Sequence, residues 1–295
     1  MSTNISNQHP TSQTTTDLID RAQAAHLKFP RCVIGGWAAL HYAGLKLETQ
    51  NAPLTLISRG RHHRRQDNIY FLEPPKDLRI WRPDIEYHSL KASTIAHATV
   101  DCLQLLEKRR HEWWVPAIPG LTFTEIRQIQ LLDELRKLRL FERDRLILAA
   151  KHRFSSKQLS KLITLSASGA QSPRETCLRL ILKDIPGLET QVKIYDPNDL
   201  LLTAADCAVP QLKVAAFYDG EDHLARHQRD HDAKAWALLD QMGWRMLRVT
   251  SGMLSDPTWI QAHFQQLIAE ARAERATKFS RMIRRTKAKP EELYV

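Results

Sequence analysis

The stretch AADCAVPQLKVAAFYDGEDHLARHQRDHDAKAWALLDQMGWRMLRVT, residues 204–250, decides the fold of the C-terminal half. Val214–Tyr218 is a short apolar run that ends in the turn dipeptide Asp219-Gly220, as a buried strand does. A helical pattern follows over 227–241, and a second strand pattern over 244–249. With the short segment ending at Asp206, the stretch reads as a strand–strand–helix–strand unit. It carries acidic residues and a histidine to the ends of strands.

Working outward, the residues just before this unit predict a helix over 173–183 and a strand near 189–195, and those after it a helix over 257–275. Ser166–Ser172, SASGAQS, combines small and flexible residues between helical segments and reads as a linker. The N-terminal half is mixed. A short helical pattern covers 17–29, and CVIGGWAALHYAGL at 32–45 reads as an apolar helix entered through two glycines. Strand patterns at 53–57 and 68–72 flank a basic turn, and helical patterns return at 94–108 and 123–151. No internal repeat is visible. The expected organisation is a disordered lead over 1–16, an α/β domain over 17–168, a second α/β domain over 169–275 and a basic tail over 276–295.

The 295 residues suffice for two domains with separate cores. A formal charge of +10 and a pI near 9.6 favour an anionic partner, with nucleic acid the commonest in a soluble protein and a generally basic surface the alternative. No apolar run approaches the roughly 20 residues that span a bilayer. The polar N-terminus MSTNISNQHPTSQTTT lacks the cationic and apolar regions of a signal peptide, so the expected location is cytoplasmic. Cys32, Cys102, Cys177 and Cys207 form no C-x-x-C pair and read as reduced core residues, with Cys207 next to Asp206.

Hydrolysis of a phosphodiester needs hard oxygen ligands for Mg²⁺, a positioned water, and positive charge against the developing negative charge. Asp206 and Asp219 can supply the metal ligands. Glu175, at the start of a helix in Ser172-Pro-Arg-Glu, can support or bridge the site. His223 can orient or deprotonate the water, because its ordinary pKa lies near neutrality. Lys213, Arg226, Arg229 and Lys234 surround the motif and can hold phosphates. The competing structural reading makes Asp219-Gly220 a turn, Glu175 a helix-starting acid and His223 a loop residue.

S-P-R-E-T-C-L-R at 172–179, Asp206, V-A-A-F-Y-D-G-E-D-H at 214–223, Asp230 and Asp232, and G-W-R-M-L-R-V-T at 243–250 together resemble a bacterial domain related to very-short-patch (Vsr-like) mismatch repair endonucleases, members of the PD-(D/E)XK superfamily. The resemblance covers roughly residues 170–270. It implies an αβββαβ core in which Glu175 corresponds to the helix acid, Asp206 to the metal-binding aspartate, and Asp219 and His223 to the polar end of the central strand. Mg²⁺ is the implied cofactor and DNA the implied partner. The chain departs from the pattern at Phe217, where many relatives carry the glutamate of E-x-D-G, and at Asp219, which occupies the usual place of the catalytic lysine. In the mismatch-repair branch the Phe217 slot is itself apolar. Two functions therefore stay open: a Mg²⁺-dependent endonuclease, and a catalytically inactive nuclease fold acting as a regulatory or antitoxin-like DNA-binding protein.

In the N-terminal half, C-V-I-G-G-W-A-A-L-H-Y-A-G-L at 32–45, P-L-T-L-I-S at 53–58 and H-A-T-V-D-C-L at 97–103 resemble AbiEi-like proteins of type IV toxin–antitoxin systems. That likeness implies a partner protein from a toxin–antitoxin or defence locus. The winged-helix region that usually precedes this half is missing or reduced to residues 15–30. Arg59–Arg65 holds four arginines, including Arg61, Arg64 and Arg65, and two histidines, which suits phosphate contact or a solvated hairpin tip. Trp113 and Trp114 suit a domain interface or base stacking, and Trp37 with His41 suits core packing. Basic residues from Arg272 to Lys289 recur every three or four positions, which would line one side of a continued helix.

Overall fold

In the computed structural model, residues 17–60, 68–220 and 226–287 are described, the side chains of 226–233 and 282–287 excepted. In chain order the first elements are α1 (Leu18–Lys28), β1 (Val33–Gly35), α2 (Gly36–Tyr42), β2 (Leu54–Ile57), β3 (Ile69–Leu72), β4 (Ile80–Trp81), β5 (Ala92–Ser93) and α3 (Ile95–Glu107). Then come α4 (Phe123–Lys137), α5 (Arg143–Ala150), α6 (Ser156–Leu165) and α7 (Pro173–Leu182). The last are β6 (Glu189–Tyr195), β7 (Leu201–Val209), β8 (Val214–Asp219), α8 (Arg226–Gln241), β9 (Arg245–Thr250) and α9 (Pro257–Lys287). The class is mixed α/β, as the sequence predicts. Residues up to His111 with Glu142–Ser156 form one compact unit, and Glu112–Phe141 with the chain from Lys157 onward forms another.

The first unit is built on a mixed sheet of order β3-β2-β1-β5-β4. β1 runs antiparallel to β2 and parallel to β5, and β2 runs parallel to β3. Because they pair in parallel, β2 and β3 are not the two arms of a hairpin; most of the basic stretch between them, residues 61–67, lies outside the described residues. The stretch 32–45 is likewise not one helix. It begins as β1 and turns at Gly36, whose φ of +52 is costly for any side chain. A Cβ there would also meet Thr55 Oγ1 at 2.7 Å. Beneath this turn the buried Asp101 carboxylate accepts the Gly36 amide at 3.2 Å and pairs with Arg153. Trp37 is fully buried with its ring edge against His111, as core packing predicts.

In the second unit six consecutive elements run helix–strand–strand–strand–helix–strand, from α7 to β9. The sheet order is β6-β7-β8-β9, antiparallel except for the β8–β9 pair, which the intervening α8 allows to be parallel. Alternation along β8 sends Ala215 and Phe217 to one face, where they pack with Ile194, Leu239 and Trp244. Val214 and Ala216 are turned to the other face, where α7 and α9 cover the sheet.

α7 starts sharply because Ser172 caps it and Pro173 opens its first turn. The Ser172 hydroxyl accepts the Glu175 amide at 3.3 Å. α4 anchors α7 through a buried cluster: Asp133 accepts from Arg179 at 2.7 Å, the Thr176 hydroxyl at 2.9 Å and the Ala167 amide at 2.8 Å. The stretch 123–151 is two helices, α4 and α5, because the chain turns out at Arg139 with φ +58. The small-residue stretch 166–172 joins α6 to α7 inside the second unit. All four cysteines are buried and unpaired, as predicted.

Candidate functional site

Glu175 and Asp206 come together in the second unit. Glu175 projects from the capped first turn of α7, and Asp206 from β7, in the middle of the strand and not at its end as the sequence suggested. The Glu175 carboxylate is fixed by the Gln171 amide at 2.6 Å and the Ser172 hydroxyl at 3.1 Å. Asp206 is fixed from the adjacent strand. Regular β7–β8 pairing covers Cys207↔Ala216 to Val209↔Val214, and just beyond it the Tyr218 amide donates to Asp206 Oδ2 at 2.6 Å. A side-chain oxygen thus takes the place of a ladder carbonyl.

Gln191, which sequence reasoning missed, joins the two acids. Its Nε2 donates to Asp206 Oδ1 at 3.2 Å and to Glu175 Oε2 at 3.4 Å. No sequence signal points to it; strand register places it. Thr190↔Cys207 and Val192↔Ala205 pair on either side of it, which sets Gln191 opposite Asp206.

Burial pushes the Asp206 carboxyl up to about 7; the Tyr218 amide and Gln191 hold against the rise, and the facing Glu175 charge adds to it. Among the described residues neither Asp206 nor Glu175 has a Lys or Arg partner. The two carboxyls also hydrogen-bond to each other, and the Gln191 amide that joins them is neutral, so once their shared proton is lost both charges are open to a cation. One or two carboxylates completed by substrate oxygens and water suffice for Mg²⁺, so this donor set fits the ion the sequence implied.

The other predicted residues are placed differently. Asp219, expected to share the metal with Asp206, ends β8 against Arg248 of β9, whose guanidinium lies 4.9 Å over the Trp236 ring. Among the described residues no three His, Cys, Asp or Glu side chains gather at metal-binding distance. Phe217 is buried edge-on to Trp236 at 4.8 Å, in the core between the sheet and α8. Lys234 is exposed on α8, and Lys213 donates to the Met242 carbonyl at 2.9 Å. Arg226 and Arg229 open α8, with side chains outside the described part. His223, Arg61, Arg64 and Arg65 lie outside the described residues. Trp113 is held by Gln130 at 2.7 Å, and the half-exposed Trp114 carries Arg174 4.6 Å over its ring.

In comparisons with known proteins, no family model, no curated protein and no solved structure matches the chain. Among the described residues no helix is long and apolar enough to cross a membrane.

Proposed function

We propose that the second unit is a Mg²⁺-dependent DNA phosphodiesterase of the Vsr-like, PD-(D/E)XK kind. The observation that carries this reading is the Glu175–Asp206 pair: two carboxyls held face to face on separate elements, one of them raised by burial and by its neighbour, with no basic partner among the described residues. With both groups ionised such a pair is unfavourable, and a bound cation would offset the repulsion as a shared proton does at lower pH. The run of elements from α7 to β9 supports the reading, since the resemblance implies the same αβββαβ order.

In this reading Asp206 and Glu175 hold the ion, which lowers the pKa of a bound water and neutralises phosphate charge. Hydrogen bonds from the Gln171 and Tyr218 amides, the Ser172 hydroxyl and Gln191 fix the carboxyls before substrate arrives, so little reorganisation is needed. His223, placed by the sequence just after the central strand, takes the water proton. Exposed Lys234 and the exposed basic residues Arg272, Arg275, Lys278 and Arg281 of α9 meet the DNA backbone. The test is cleavage of supercoiled, linear, mismatched and single-stranded DNA with Mg²⁺, Mn²⁺ or EDTA. Metal-dependent cutting is expected, and binding without cutting on every substrate would overturn the reading.

A second reading, a non-catalytic DNA-binding regulator, is favoured by one specific contact. Arg248 already pairs with Asp219, so among the described residues the end of the central strand has no unpaired carboxylate for a metal. Binding without cutting is the outcome that this reading predicts, and with it a partner protein of the toxin–antitoxin kind.

A further inference from the structure

We infer that Gln191 is the positioning residue of the Glu175–Asp206 pair, and that Gly169 is what leaves room for it. This rests on the proposed reading of that pair as a divalent-cation site.

Three observations carry the inference. Gln191 lies inside β6 yet has φ +52, a left-handed conformation that costs a residue with a side chain about 1–2 kcal/mol. Strand pairing resumes immediately on both sides, so the departure is confined to one residue. Next, the turn delivers the amide to both acids at once, at 3.2 and 3.4 Å. Finally, the chain at Gly169, with φ +122, passes so close that a Cβ there would lie 2.7 Å from Gln191 Cγ and 3.5 Å from its Cβ. A loop glycine and a strained strand residue thus cooperate in one placement, from positions far apart in the sequence.

The chemistry explains why an amide suits this place. Two ionised carboxylates facing each other repel, and a donor that reaches both helps to hold them at a separation that one ion can bridge. A lysine or arginine would do so by cancelling their charge and would compete with the cation. A neutral donor hydrogen-bonds to both and leaves the negative charge intact. Partners that orient metal-binding side chains in this way typically contribute about 10–100-fold to metal affinity.

The experiment is Mn²⁺ binding by electron paramagnetic resonance on the full chain, with wild type, Gln191→Gly and Gln191→Asn, alongside urea unfolding of each. Glycine takes φ +52 without strain, and asparagine tolerates it while keeping an amide too short to reach both acids. Both variants are expected to bind Mn²⁺ about tenfold more weakly than wild type, and the glycine variant to unfold at a urea concentration no lower than wild type. Affinities within about twofold of wild type, with or without a fall in the unfolding midpoint, would overturn the inference and leave the cation site standing. Wild type that binds no Mn²⁺ would overturn the cation site itself, and the positioning role with it.

Discussion

Asp206→Asn is expected to make the folded chain more stable, and only at high pH. The wild-type carboxyl rises from an ordinary 3.8 to about 7 on folding. At about 1.4 kcal/mol per tenfold change in proton affinity, keeping it ionised costs the folded chain about 4 kcal/mol, reduced to about 2–4 kcal/mol by the solvent that reaches this partly exposed group. Because the folded value lies above the unfolded one, the folded chain binds more protons between about pH 4 and pH 7 and loses stability as pH rises through that window. Asparagine keeps an oxygen for the Tyr218 amide, but its NH₂ cannot accept from Gln191 Nε2, so the charge is removed at the cost of that one hydrogen bond, about 1 kcal/mol at either pH. Urea unfolding at pH 4 and pH 8 measures the difference between variant and wild type, in which the titrations common to both chains cancel. With that hydrogen bond lost, the variant should be about 1–3 kcal/mol more stable at pH 8 and within about 1 kcal/mol of wild type at pH 4. A difference that does not change with pH, or a variant less stable at pH 8, would refute the reasoning that the pair is held together at a cost.

Asp133→Ala removes the acceptor of Arg179, Thr176 and Ala167 and leaves a largely buried guanidinium unpaired, so unfolding free energy should fall by about 3–5 kcal/mol in urea titrations. Burial raises the Asp84 carboxyl, but hydrogen bonds from Tyr42, Gln23 and the Tyr87 and Glu86 amides outweigh it and hold the group at about 2. Its stabilisation is present above about pH 4 and lost as pH falls towards 2, so Asp84→Asn should lower stability at pH 7 and converge with wild type near pH 2. Gly36→Ala combines a left-handed backbone with a contact at 2.7 Å to Thr55 and should cost about 2–4 kcal/mol, part of it recovered by adding Thr55→Ala.

Periodicity and turn chemistry carried the elements whose residues agree with their surroundings. Ser172-Pro173 announced α7, and the apolar run before Asp219-Gly220 announced β8. β7 was under-read because Leu201–Val209 contains three alanines and an aspartate, residues of low strand propensity; it is a strand because β6 and β8 pair with it on both edges. The same long-range pairing decides the site. Glu175 and Asp206 were each legible as candidates from local sequence, but their meeting depends on how α7 lies against β7, which no spacing encodes. Asp219 reads as the partner from sequence because it sits at the end of the neighbouring strand. The register of β8 with β9 sets it opposite Thr250, two residues beyond Arg248, within reach of that guanidinium. Gln191 was invisible because nothing in ETQVKIY signals a left-handed residue in mid-strand.

The central claim, that the Glu175–Asp206 pair serves metal-dependent phosphodiester cleavage, meets its most direct test in Mg²⁺-dependent nicking of supercoiled DNA at pH 8 by wild type and Asp206→Asn. The variant is expected to be the more stable of the two under those conditions, so lost activity cannot be ascribed to unfolding. The account predicts nicking by wild type that requires the metal, and its loss in the variant. Nicking that survives the substitution unchanged, or a wild type that binds DNA and never cuts it, would contradict the account.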